Sequence, residues 1–153
     1  MSLHELPRPQ KCIGAAATRE TRMIRVITGH ICSGKSTWVS DHASPADLVI
    51  DHDRIAAALS PEGTRHHAYT QAAGDLATAI RWAAIDAAVR IAKVAAVDVW
   101  IVHAYPTAAD QTMYLRLGAT TRNISADAAT LTERARVERP ERMRRTLADR
   151  LAS

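Results

Sequence analysis

The stretch VITGHICSGKST, residues 26–37, decides how the rest of the chain is read. It sets a β-branched run against two glycines, a lysine and adjacent hydroxyls, in the spacing G-x-x-x-x-G-K-[ST], with Gly29, Gly34, Lys35 and Ser36 at the fixed positions. Just upstream, MIRVIT (residues 23–28) has the composition of a short strand buried in a parallel sheet, ended by Gly29. Residues 36–42 open a helix. Glycines at such a strand-to-helix turn let backbone N–H groups converge on phosphate oxygens, and the positive end of the helix dipole reinforces them. The loop Gly29, His30, Ile31, Cys32, Ser33, Gly34, Lys35, Ser36 and Thr37 is therefore expected to hold a nucleoside triphosphate, ATP. Lys35 would reach its β- and γ-phosphates and Ser36 would hold Mg²⁺.

Strand and helix patterns alternate through the remainder. Pro45 breaks the first helix, residues 47–51 (DLVID) read as a second strand, and residues 54–60 (RIAAALS) are helical, punctuated by Pro61 and Gly63. Residues 67–96 form one long alanine-rich helix or a kinked pair, with Leu76, Ile80, Ala84, Ala87 and Ile91 as its apolar stripe. Residues 97–104 (VDVWIVHA) are a third strand, and a helix from Pro106 is closed by Gly118. Residues 119–125 (ATTRNIS) are a fourth strand. Asp127 caps a further helix, which Pro140 separates from an arginine-rich one ending near Leu151. The alternation predicts an α/β fold of three layers, the P-loop NTPase architecture. It would have a mostly parallel sheet of about four or five strands, helices on both faces and a basic helical lid near the C-terminus. Residues 1–22, with two prolines and no sustained period, read as a poorly ordered extension, and residues 23–153 as one domain.

A chain of 153 residues, 47% hydrophobic, buries one core and is too short for two ordinary domains. Its net charge of +4 rests mainly on arginine and favours a polyanionic partner; interspersed acidic residues equally describe a mixed, solvated surface. Cys12 and Cys32 have no metal-ligand spacing, and a disulfide at Cys32 would obstruct the loop, which implies a reducing, cytoplasmic setting. No run is apolar for the roughly 18 residues that cross a bilayer, and no secretory core opens the chain, so no membrane partner is expected.

Two further groups bear on chemistry. VIDHDR, residues 49–54, puts Asp51 and Asp53 at the end of the second strand, both able to face the crevice where an α/β sheet binds ligands. One carboxylate there can orient and deprotonate an attacking hydroxyl while its neighbour organises the metal; either can instead cap the helix at Arg54. The segment LTERARVERPERMRR, residues 131–145, supplies Arg134, Arg136, Arg139, Arg142, Arg144 and Arg145. Glu133, Glu138 and Glu141 can pair with several of these on the helix surface, leaving at least one to reach phosphate. Trp82 and Trp100 read as core, whereas Trp38, Tyr69 and Tyr105 are free for stacking on a ligand.

Taken in order, TGHICSGKSTW, VIDHDRIAAAL, a hydrophobic third strand and an L-x-x-R helix resemble the kinase domain of bacteriophage polynucleotide kinase and the related small P-loop ATP-binding proteins of phages. The resemblance spans residues 23–145. It implies transfer of the γ-phosphate of ATP to a 5′-hydroxyl end of DNA or RNA. Lys35 and Ser36 would serve ATP and Mg²⁺, Asp53 would be the general base, and Arg134 with Arg136 or Arg139 would form the lid. Ala56 stands where the family has an arginine three residues past its base, and His103 where its third strand ends in aspartate. The Asp-x-Asp arrangement is equally similar to shikimate-, gluconate- and zeta-toxin-type kinases, whose acceptor is a small hydroxylated metabolite. A non-kinase ATP-binding or ATPase module is the remaining reading.

Overall fold

The computed structural model describes residues 22–64 and 67–153; the extension expected over residues 1–22 lies, apart from Arg22, outside the described residues. The elements run β1 (Ile24–Thr28), α1 (Lys35–His42), β2 (Leu48–Asp51), α2 (His52–Ala58), α3 (Gln71–Ala95), β3 (Val99–Val102), α4 (Ala108–Arg116), β4 (Thr120–Asn123), α5 (Ala128–Glu138) and α6 (Glu141–Leu151). The four strands form one sheet in the order β2-β3-β1-β4, with every pairing parallel. The chain leaves β1 over β3 to reach β2, and leaves β3 over β1 to reach β4. Its direction thus reverses between β1 and β3, and such a switch point opens a crevice at the C-terminal ends of the strands.

Alternating side chains divide the core into two layers. Val26, Ile50, Val99 and Ile101 pack against Ile85, Ala88 and Ala92 of α3 and Tyr114 of α4. Ile27, Trp100 and Val102 project from the opposite face onto Val39 of α1. Two smaller clusters hold the C-terminal helices in place. Leu131, Ala135 and Leu147 of α5 and α6 close around Cys32 of the glycine loop, and Met143 of α6 packs against Ala56, Tyr69, Ala73 and Ala77. The C-terminal helix pair therefore rests on both banks of the crevice.

The fold is the expected α/β sandwich of parallel strands, with differences in detail. α3 is one helix of 25 residues, capped by the Thr70 hydroxyl. Its buried side is not the stripe expected from the sequence: Leu76, Ile80 and Ile91 are 49%, 36% and 52% exposed, and the seam runs through Ala73, Ala77, Arg81, Ile85, Ala88 and Ala92. Small residues there let the helix lie close to the sheet. α2 begins at His52 rather than Arg54, so Asp53 lies in its first turn while Asp51 ends β2 and serves as the N-cap. β4 is an exposed edge strand. No helix among the described residues is long and apolar enough to cross a membrane.

Candidate active site

A cleft of about 870 Å³ opens at the C-terminal ends of β1, β2 and β3. One wall is the glycine loop. Gly29 leaves β1 at φ +136°, and a Cβ there would stand 2.1 Å from the Ile124 carbonyl oxygen, so β4 approaches too closely for any side chain. Gly34, at φ +93°, is the N-cap of α1. The first bond into that helix is Trp38 N–H to the Gly34 carbonyl at 2.9 Å, which leaves the amides of Gly34, Lys35, Ser36 and Thr37 as open donors at a helix start. Ser33 N–H closes the turn on the His30 carbonyl at 3.1 Å, and Ile31 N–H donates to the Tyr105 hydroxyl at 3.3 Å.

Lys35 folds back over this turn. Its ammonium donates to the carbonyls of Gly29 at 2.7 Å and His30 at 2.5 Å. Burial, and then the nearby charge of Arg139, lowers its pKa to about 8. The lysine is thus a dehydrated cation held by neutral carbonyls, and a polyphosphate would offer it stronger acceptors.

The opposite wall is built by side chains. Asp51 uses one carboxylate oxygen to cap α2, accepting from Asp53 N–H at 3.0 Å, and the other to accept from the Ser36 hydroxyl at 2.6 Å. A hydroxyl and a carboxylate in contact beside open amides at a helix start suit Mg²⁺, which takes few protein oxygens and fills its remaining positions with phosphate and water. Among the described residues no three His, Cys, Asp or Glu side chains cluster as a metal centre of their own.

Asp53 stands beside Asp51 in the cleft. Tyr69 donates to one of its oxygens at 2.6 Å, Arg139 donates to the other at 2.9 Å, and the imidazoles of His67 and His52 lie 3.1 and 3.7 Å from it. Burial acts to raise the carboxyl, but hydrogen bonds from His52, His67 and Tyr69 and the charge of Arg139 outweigh it and hold the group well below the usual carboxylate range. His52 is shifted upward in turn, chiefly by its bond to Asp53. Asp53 is therefore an anion with a fixed orientation.

The arginines of the C-terminal helices separate by position. Arg134 lines the cleft and donates to the Cys32 carbonyl at 3.2 Å; Arg139, at the C-cap of α5, also lines it and has a buried Nε without a partner. Arg136 faces away, exposed and paired with Glu133 at 2.8 Å, so the structure does not bring it to the cleft as the sequence reading expected. Gly29 and His30 lie behind the cleft and act through the carbonyls that hold Lys35. Ile31, Cys32, Ser33, Gly34, Lys35, Ser36 and Thr37 line it directly. Trp38 reaches its rim, stacked on His42 with ring centroids 3.9 Å apart.

Among the cleft residues, His52, His67 and Arg81 were not singled out by the sequence. Tyr69, read from the sequence as available for stacking, is 6% exposed, with its hydroxyl committed to Asp53.

No protein-family model matches the chain, and no curated protein matches it. Among solved structures, its fold is similar to that of a candidate kinase from Chloroflexus aurantiacus, with a TM-score of 0.55 and 15% sequence identity over 76% of this chain. The chain spans 65% of that protein's length. At this identity the likeness establishes the fold.

Proposed function

We propose that the chain is an ATP-dependent phosphotransferase of the polynucleotide kinase-like type, moving the γ-phosphate to a hydroxyl, with a 5′-hydroxyl end of DNA or RNA as the favoured acceptor. The observation that carries this reading is the opposition of two walls: open amides and Lys35 on one side, and on the other Asp53, ionised and held by Tyr69, His67 and Arg139. Phosphoryl transfer asks little covalent chemistry of a protein and much positioning. The amides and Lys35 would hold the triphosphate, and Ser36 with Asp51 would hold Mg²⁺, which would supply charge neutralisation to the phosphates. Asp53 accepts the hydrogen bond of the incoming hydroxyl, aims its oxygen, and takes the proton as the new P–O bond forms. Its low basicity suits a loose transition state, in which the hydroxyl is deprotonated late. Arg139, beside Asp53, and Arg134, beside the glycine loop, would place guanidinium charge on the phosphoryl group as it transfers.

A small hydroxylated metabolite is the second acceptor reading. It is favoured by the burial of the acceptor wall, where Tyr69, Arg81 and His67 are 6%, 7% and 9% exposed. The solved neighbour described as a candidate kinase is consistent with either.

Incubation with γ-labelled ATP, Mg²⁺ and a panel of 5′-hydroxyl DNA, 5′-hydroxyl RNA, nucleosides and sugar acids tests the proposal. Label in an oligonucleotide supports the favoured acceptor, and label in a small molecule the second. Label released only as inorganic phosphate makes the protein a nucleotide hydrolase and ends the transferase reading. Lys35→Ala should abolish the transfer, and an undiminished rate would place the chemistry elsewhere.

A further inference from the structure

Arg81 breaks the pattern of its helix. The buried seam of α3 is otherwise made of alanine, glycine and isoleucine, and the guanidinium occupies a place where an aliphatic side chain would pack. It is 7% exposed. A charge removed from water is costly unless it is paired, yet no carboxylate among the described residues lies within 4.0 Å of this one. Nη2 donates to the Tyr114 hydroxyl at 3.0 Å, the guanidinium carbon lies 5.2 Å from the Trp82 ring centre, and Nε is buried without a partner.

No carboxylate among the described residues contacts it directly, and Asp110 acts on it only through space. The Tyr114 hydroxyl is shared with Nδ1 of His103 at 2.9 Å, and His103 is kept neutral by burial and by Arg81 itself. Asp110 sits 3.9 Å from the far nitrogen of His103. Arg81 and His103 nevertheless line the same cleft as Asp53 and the glycine loop. His52 ties the two places together: one ring nitrogen is 3.7 Å from Asp53, and the other is 3.1 Å from the Thr78 hydroxyl, one turn of α3 before Arg81. Asp53 and Arg81 thus line one cleft, with the His52 imidazole and about one turn of α3 between them.

We propose that Arg81 recognises an anionic group on the acceptor, a carboxylate or a phosphate, carried on the same compound as the hydroxyl that Asp53 receives. The protein would then select hydroxy acids or phosphate-bearing nucleotides over neutral alcohols and nucleosides. This rests on the phosphotransferase reading for its hydroxyl, but the anion subsite can be examined without turnover.

The test is calorimetric binding with the glycine loop first saturated by a non-hydrolysable ATP analogue and Mg²⁺, so that added anions cannot occupy it. Two matched pairs are titrated: adenosine 3′-phosphate against adenosine, and gluconate against its neutral amide. The charged member of at least one pair should bind about tenfold or more tightly than its neutral partner, and the pair that shows it identifies phosphate or carboxylate as the source. Arg81→Gln should reduce that preference to within about threefold, and Arg81→Lys should retain part of it. Should Arg81→Gln fail to fold, the wild-type comparison and the lysine variant still decide the matter. Equal binding within both pairs, or a preference that survives in folded Arg81→Gln, overturns the proposal. An Arg81-dependent preference without any label transfer keeps the subsite and removes the transferase reading; label transfer to neutral acceptors with no preference does the reverse.

Discussion

The two walls of the cleft are built in opposite ways. The glycine-loop wall is nine consecutive residues, 29–37, whose donors are mostly backbone amides; the facing wall gathers Asp53, His67, Tyr69, Arg81 and Arg139 from α2, the segment after it, α3 and the end of α5. Local chain geometry makes the first, and the second exists only once the sheet has ordered its helices. The loop should therefore tolerate many side-chain changes but few backbone ones, whereas each contact of the facing wall depends on one identifiable atom.

The largest effect should fall on the backbone wall. Gly29→Ala places a methyl group 2.1 Å from the Ile124 carbonyl at a φ of +136°, so the loop and the end of β4 must part. ATP affinity should drop about a thousandfold or more, as expected when a preorganised set of charge-assisted bonds is lost. Gly34→Ala meets nothing within 4 Å and suffers only the strain of φ +93°, about 1–2 kcal/mol or roughly tenfold. Isothermal titration with ATP separates the two. Equal losses would mean that Gly29 is needed for its torsion alone and that the approach of β4 is irrelevant.

Next in size is the side-chain wall. If the proposed mechanism holds and the carboxylate acts on the incoming hydroxyl, Asp53→Asn should cut phosphate transfer by about two or more powers of ten while ATP affinity stays within about threefold. The variant also strands Arg139, whose side chain is 11% exposed, without its counter-charge. A carboxylate with a depressed pKa contributes stability above its unfolded value of about 3.9 and loses it as the pH falls below that. The melting temperature of Asp53→Asn should therefore lie below that of wild type from neutral pH down to about 5, with the gap narrowing under more acidic conditions. If transfer and ATP affinity fell together by equal factors, Asp53 would belong to the framework of the nucleotide site and not to the acceptor.

The same contrast explains what could be read in the sequence. The loop, the strand before it and the Asp127 cap were legible because a few neighbouring residues impose each of them, and the structure places Asp127 as the N-cap of α5, accepting from Thr130 N–H at 2.8 Å. The lid arginines were legible only as a group. Whether Arg136 or Arg139 turns inward depends on where α5 stops, and its C-cap residue, Arg139, leaves the helix in an extended conformation that carries it to Asp53. His67 and Tyr69 fell within the helix expected over residues 67–96, but α3 begins only at Gln71 after the Thr70 cap, so both lie in the segment before it and their roles follow from contact with Asp53.

α3 is the sharpest case. Alanine lies on all sides of it, so the expected phase rested on Leu76, Ile80 and Ile91, which prove to be exposed. Arg81 was the contrary signal: a helix phased on Ala77, Arg81 and Ile85 looks wrong to a reader seeking an apolar stripe, and a functional charge on the buried seam produces that appearance. The phase can be tested with the smallest substitutions of all. Ile85 is 2% exposed, and Ile85→Val should cost about 0.5–1.5 kcal/mol in denaturant unfolding, whereas Ile91→Val, at a position 52% exposed, should stay within about 0.5 kcal/mol. The reverse ordering would require α3 to be rotated. Since each residue turns a helix by about 100°, even a one-residue rotation would swing Arg81 out of the cleft, and the anion subsite would go with it.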